Sequence, residues 1–215
     1  MPFRNRRDAG RQLAARLSAL NLSEPVVLGL PRGGFPVAAE VAGFLDAPVD
    51  VFVARKIGAP GHEELGIGAV AEGTTEPVVT DIAARLGLRP AEVEILAARA
   101  RAELGRRVAA YRGDRPFPDV SGKDVVLVDD GLATGVTAEA ALHSLRRLGP
   151  RRVVLAVPVC ARETAARLAA LADDVICAET PARFYAVGEW YEDFSQTTDE
   201  EVLDILDGRA AKASK

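Results

Sequence analysis

Short apolar runs alternate with amphipathic stretches along most of this chain. Residues 26–30, 49–54, 124–129, 152–157 and 174–178 each read as a strand. Between them the spacing predicts helices over 35–45, 90–111, 135–148 and 161–171, with a further helix over 6–20 ahead of the first strand. Helix 90–111 is the clearest: Val93, Leu96, Ala100, Leu104, Val108 and Tyr111 form its stripe, and Pro90 suits its first turn. In helix 6–20, Leu13, Leu17 and Leu20 share one face, with Arg7, Arg11 and Arg16 mostly off it. Strand and helix in strict alternation imply an α/β fold: a mainly parallel twisted sheet with helices on both faces. A length of 215 residues fits one large domain with a small appendage. We expect a core over 1–180, a separate C-terminal segment over 181–206 ending in a helix at 199–206, and a disordered tail over 207–215. That tail has little apolar to anchor it.

The stretch 125–137 (Val-Val-Leu-Val-Asp-Asp-Gly-Leu-Ala-Thr-Gly-Val-Thr) carries the most chemistry. A buried strand ends in two adjacent carboxylates, Asp129 and Asp130, and a turn of small residues leads into a helix. The first N–H groups of a helix lack internal partners and lie at the positive end of its dipole. A small-residue turn lets a phosphate approach them. Gly131 and Gly135 remove bulk, and Thr134 and Thr137 add hydroxyl donors. Ionised carboxylates accept hydrogen bonds only, so Asp129 and Asp130 suit the hydroxyls of a cis-diol. Open parallel sheets place ligands at such strand ends. The combination reads as a sugar-phosphate site; the plainer alternative is an ordinary strand–turn–helix connection with a capping Thr.

This segment resembles the phosphoribosyl-diphosphate signature of the type I phosphoribosyltransferases: four apolar residues, two acids, then a phosphate loop with Thr-Gly-x-Thr. The resemblance implies that Asp129 and Asp130 hold the ribose hydroxyls. It implies that Gly131, Ala133, Thr134, Gly135, Val136 and Thr137 hold the 5-phosphate, and it extends more loosely over residues 25–195. It implies Mg2+ as cofactor, carried mainly by substrate oxygens with Asp129 and Asp130 as indirect partners. Phosphoribosyl diphosphate and a planar base are the implied partners, in a homodimer.

Two further loops fit the same ligand. Strand 26–30 delivers Pro31-Arg32-Gly33-Gly34 to a helix start, a Gly pair and a cation that suit a diphosphate. The resembled family often has a cis peptide bond in this loop, which points to Pro31–Arg32. Arg55 and Lys56 follow strand 49–54 and point two cations toward the expected ligand; Arg32 and Lys56 are the candidates to stabilise the leaving diphosphate. Gly58, Gly61, Gly66, Gly68, Gly73 and Pro60 then argue against a regular element throughout, so 57–75 is expected to be a flexible lid loop, with short strands near 69–72 and 77–80. Glu63 or Glu64 on that lid is the only candidate general base.

Residues 184–194 hold five of the chain's aromatics, including its single Trp. They resemble the hood of the purine branch, which implies that Tyr185 stacks on the base, Val187 offers backbone contacts and Glu192 faces the exocyclic edge. Alternatively, these rings pack a late subdomain or a dimer contact. Ala133 stands where many purine-salvage relatives carry an Asp, and the run Val157-Pro158-Val159-Cys160 lacks the Lys of the hypoxanthine/guanine branch, so the acceptor stays open. A non-catalytic sensor of phosphoribosyl diphosphate or a nucleotide, built on the same pocket, is the alternative function.

Composition narrows the remaining classes. A net charge of −4 and pI near 5.4 argue against non-specific nucleic-acid binding. No long apolar window points to a membrane span, and the first residues lack the apolar stretch of a signal peptide. Two cysteines supply no disulfide framework, which fits a reducing cytoplasm, and two histidines with those cysteines do not make a zinc site.

Overall fold

The computed structural model describes residues 2–74 and 76–208, with Glu64 described by its backbone alone. In chain order the elements are α1 (Arg6–Leu17), β1 (Val26–Gly29), α2 (Gly34–Leu45), β2 (Val49–Val51), β3 (Ala54–Ala59), β4 (His62–Ala71), β5 (Val78–Val79), α3 (Asp81–Arg85), α4 (Pro90–Arg112), β6 (Asp124–Val128), α5 (Val136–Arg147), β7 (Arg152–Val159), α6 (Arg162–Leu168), β8 (Asp174–Glu179) and α7 (Asp199–Leu206). A short 3-10 turn spans Val187–Trp190.

Five strands form a wholly parallel sheet in the order β2-β1-β6-β7-β8. Successive side chains of a strand point to opposite faces, and each face here has its own cover. Leu28, Val125, Leu127, Val153 and Leu155 pack under α5 and α6. Val27, Val126, Val128, Val154 and Ala156 pack under α1, α2 and α7. Strands buried on both sides need apolar residues at every position, which is the pattern the sequence carries. The mainly parallel α/β sheet with helices on both faces is the architecture anticipated.

A second sheet, β3-β4-β5, is antiparallel. It corrects two expectations. Residues 49–54 are not one strand: the chain leaves the parallel sheet after β2 and starts β3 at Ala54. Residues 57–75, expected as an irregular lid, are mostly a hairpin, and Thr75 lies outside the described residues. The glycines there serve close approach of backbones rather than disorder. A methyl group on Gly58 would stand 2.7 Å from the Glu63 Cα, and one on Gly68 would overlap the Val78 carbonyl. Between these glycines the strands are anchored: Ile57, Ile67 and Val70 pack with Ala83 of α3 and with Val93 and Ala97 of α4.

The crossing between sheets is held by one buried cation. Arg112, at the end of α4, lies 5% exposed against Glu72, Asp50 and the Val51 carbonyl. Glu72 also accepts the Val53 N–H at 2.7 Å. Residues 209–215 of the expected tail lie outside the described residues, and Asp207 and Gly208 close α7. No helix among the described residues is long and apolar enough to cross a membrane.

Candidate active site

The parallel sheet has one place where consecutive connections part. From β1 the chain passes through α2 to β2 on one side, and from β6 through α5 to β7 on the other. Ligand crevices open beyond the C-terminal ends of such a strand pair. The loops that leave β1 and β6 here are the Pro31–Gly34 loop and the Asp129–Gly135 loop, and the Leu30 N–H donates to the Val128 carbonyl at 2.8 Å at their base. Topology alone therefore joins two stretches that lie about a hundred residues apart in the sequence.

In the first loop the Pro31–Arg32 peptide bond is cis. The two glycines have a reason beyond room for a ligand. A methyl group on Gly34 would sit 2.7 Å from the Asp129 Cα, and one on Gly33 would overlap Asp130 Oδ2. The acid pair thus packs directly on the glycine pair. Arg32 is half-buried, and its charge is felt at the Tyr111 hydroxyl of α4.

The acids differ in their surroundings. Asp129 Oδ1 accepts the Asp130 N–H at 2.9 Å. Burial pushes the Asp129 carboxyl well above its usual range, and the neighbouring Asp130 charge pushes it further. Burial also raises Asp130, but Arg6 opposes the rise: its Nε donates to Asp130 Oδ2 at 2.8 Å. Tyr191 donates its hydroxyl to the Asp130 carbonyl at 2.5 Å, and burial followed by the Asp130 charge raises that phenol.

The second loop is fixed from outside. Leu132 exchanges backbone hydrogen bonds with the end of β7: its N–H donates to the Val159 carbonyl and its carbonyl accepts from Ala161, each at 2.9 Å. From α6, the Thr164 hydroxyl donates to the Ala133 carbonyl at 2.5 Å, and the Arg167 guanidinium donates to the Thr134 carbonyl and pairs with Glu139. Gly135 caps α5 at φ +68°, a left-handed conformation that favours glycine. It offers no side chain to the first turn, so the leading N–H groups of α5 lack the usual side-chain capping partner. Ala133 and Thr134 are exposed, and Val136 and Thr137 half-buried.

The aromatic segment closes one side. Val187 lies so near Gly131 that a methyl group there would be 2.5 Å from its Cγ1. Phe3 bonds through its backbone to Trp190 and Glu192, and its ring packs against Tyr191. Tyr185 is 78% exposed, so one face remains open for stacking. Glu192 is exposed, placed by its N–H to the Phe3 carbonyl at 2.8 Å.

Arg55 and Lys56 do not end the strand of the parallel sheet. They lie in β3 and, one residue apart, face opposite sides. Lys56 pairs with Ala69 and shares the face that joins the core under α5. Arg55 pairs with Val70 on the α4 side, where its charge reaches Glu103. Glu63 is an exposed residue of β4, and the Glu64 side chain lies outside the described residues.

Four contributors escaped the sequence reading: Arg6, Tyr191, Thr164 and Arg167. One signal existed for Arg6. It falls seven residues before Leu13 and so on the buried stripe of α1, where an arginine needs a partner.

Comparison with known proteins agrees with this architecture. The profile of the phosphoribosyl transferase domain matches residues 4–193. A provisionally named phosphoribosyl transferase of Mycobacterium tuberculosis is 46% identical over 205 residues, covering 95% of this chain and 46% of its own length, so the chain spans about half of that relative. The crystal structure of TT1426 from Thermus thermophilus is 50% identical, covers 96% of this chain and 98% of its own, and superposes with a TM-score of 0.82. A shorter stretch, 58 residues or 26% of the chain, is 53% identical to the bifunctional protein PyrR of Thermus thermophilus and covers 32% of it. Matched along nearly all its described length, the chain belongs to the phosphoribosyl transferase domain family.

Proposed function

We propose that this chain transfers the 5-phosphoribosyl group of phosphoribosyl diphosphate to a ring nitrogen of a planar base. The observation that supports this most is the meeting of three parts at the ends of β1 and β6: an acid pair, a glycine–arginine loop packed on it, and a helix start with no capping side chain. In this reading the Val136 and Thr137 N–H groups and the threonine hydroxyls hold the 5-phosphate. Asp129 and Asp130 accept the ribose hydroxyls. Arg32, and Lys56 from β3, are the cations assigned to stabilise the charge the leaving diphosphate gains as the C1–O bond stretches. The ribose gains positive charge in the same step, and the acid pair favours it. Tyr185 stacks on the base, with Val187 and Glu192 at its edge.

The oxygen donors of the acid pair suit a hard cation such as Mg2+. One Asp130 oxygen is engaged by Arg6, which agrees with an ion carried chiefly by substrate oxygens. When bound, Mg2+ would supply charge neutralisation at the diphosphate.

Isothermal calorimetry with phosphoribosyl diphosphate, with and without Mg2+, tests binding; absence of heat at millimolar ligand overturns the reading. Incubation with a panel of purine and pyrimidine bases, read as diphosphate release, tests transfer. A second reading has one supporting observation: among relatives over about a fifth to a quarter of the chain, one is named for a bifunctional role and another for regulation. Binding without diphosphate release for any base would favour a sensor of phosphoribosyl diphosphate with the same pocket.

A further inference from the structure

Arg6 connects three parts of the site at once. Its Nε donates to Asp130 Oδ2 at 2.8 Å, its NH1 donates to the Ser195 carbonyl at 2.6 Å, and its guanidinium carbon lies 4.0 Å from the centre of the Phe194 ring. The same Nε is 3.1 Å from where a methyl group on Gly33 would stand. The glycine–arginine loop, the acid pair and the aromatic segment therefore meet at one side chain, itself 12% exposed. An exposed ion pair would matter little. This one is enclosed, and a guanidinium fixes a carboxylate's orientation as well as its charge.

The hydrogen bond to Oδ2 fixes the orientation of the Asp130 carboxylate. We propose that Arg6 is a positioning residue for phosphoribosyl diphosphate: it orients Asp130 toward the ribose and seats the Phe194–Ser195 stretch beside it. The proposal rests on the transferase reading above but assigns a residue of α1 that the signature motif does not contain. It also predicts where the effect falls. Arg6 acts through Asp130, so its loss weakens sugar-phosphate binding, and the loss depends on Asp130 being present.

The test is a binding cycle in the full chain, read by calorimetry with phosphoribosyl diphosphate and Mg2+. Arg6→Met is expected to weaken binding about tenfold. Arg6→Lys recovers part of this, because an ammonium pairs with Asp130 but lacks the fork that also reaches Ser195. In an Asp130→Asn background, Arg6→Met costs no more than about twofold. A residue that only held α1 in place would give the same loss in both backgrounds. Should Arg6→Met fail to fold, Phe194→Leu takes its place: it removes the ring under the guanidinium and is expected to weaken binding about threefold, again only with Asp130 present. Folded Arg6→Met or, in its absence, Phe194→Leu binding as the parent does, or an equal loss in both backgrounds, overturns the proposal. If the parent itself fails to bind, the transferase reading falls and this inference with it; parental binding with an unaffected variant removes the inference alone.

Discussion

Asp129 and Asp130 are neighbours in sequence with different electrostatic duties. Arg6 pairs with Asp130, while Asp129 is desolvated beside that charge and, among the described residues, makes no ion pair. A carboxyl raised in the folded state stabilises the fold below its unfolded pKa and loses that contribution as pH rises through the folded value. Asp129→Asn keeps an oxygen for the Asp130 N–H and cannot ionise. Relative to the parent it should therefore become more stable as pH rises from about 5 to about 8. Urea unfolding at both pH values checks this; an equal difference at the two would contradict the raised Asp129. The same variant should bind phosphoribosyl diphosphate more weakly, so stability and affinity move in opposite directions. Gly33 is constrained by the other acid. Gly33→Ala places a methyl group on Asp130 Oδ2 and must displace either the loop or the carboxylate. We expect a loss of about 1–3 kcal/mol in stability, the range for overpacking, together with weaker binding of the sugar phosphate in calorimetry.

The Asp129–Gly135 loop is an element shaped by its neighbour. Thr164 and Arg167 draw the Ala133 and Thr134 carbonyls toward α6, which fixes the loop that leads into the uncapped start of α5. Ala133 is exposed, so water can replace the lost donor and removing one such bond costs only its net worth, about 0.5–1.5 kcal/mol. Thr164→Val should therefore lower stability within that range and weaken phosphoribosyl diphosphate binding several-fold. A variant with lower stability but parental affinity would mean that the loop holds its shape without α6. Strand–loop–helix order was legible here because apolar runs, the acid pair and small residues lie consecutively. The α6 clamp was not: Thr164 is thirty-one positions from Ala133, and a Thr early in a helix carries no mark of its distant partner. The β3–β4 hairpin failed to appear for the opposite reason. Its glycines look like breakers in sequence, and only the approach of Glu63 and Val78 reveals why they stand in strands. The division of Arg55 from Lys56 followed from the same misjudged strand boundary.

Across the whole molecule, the site depends on two sheets keeping one relative placement. The parallel sheet carries the acid pair and both loops, while the antiparallel sheet carries Arg55 and Lys56. Arg112 spans the junction, bonded to Asp50 and Val51 in and around β2 and to Glu72 just beyond β4. Phe117 lies 5.1 Å from its guanidinium carbon. Such a network adds little net stability compared with apolar residues of the same shape, yet breaking it leaves two carboxylates buried without their cation. Arg112→Met fills much of the same volume and supplies no charge. It should cost about 3–5 kcal/mol, which for a chain of this size lowers Tm by roughly 10 °C. Asp50→Asn combined with Glu72→Gln in the Arg112→Met background should restore part of this loss, because the stranded charges are then gone. Thermal unfolding of the three chains decides the matter. If neutralising the acids recovers nothing, the cost of Arg112→Met comes from packing against Phe117 and the α4 end, and the cation does not hold the two sheets in register.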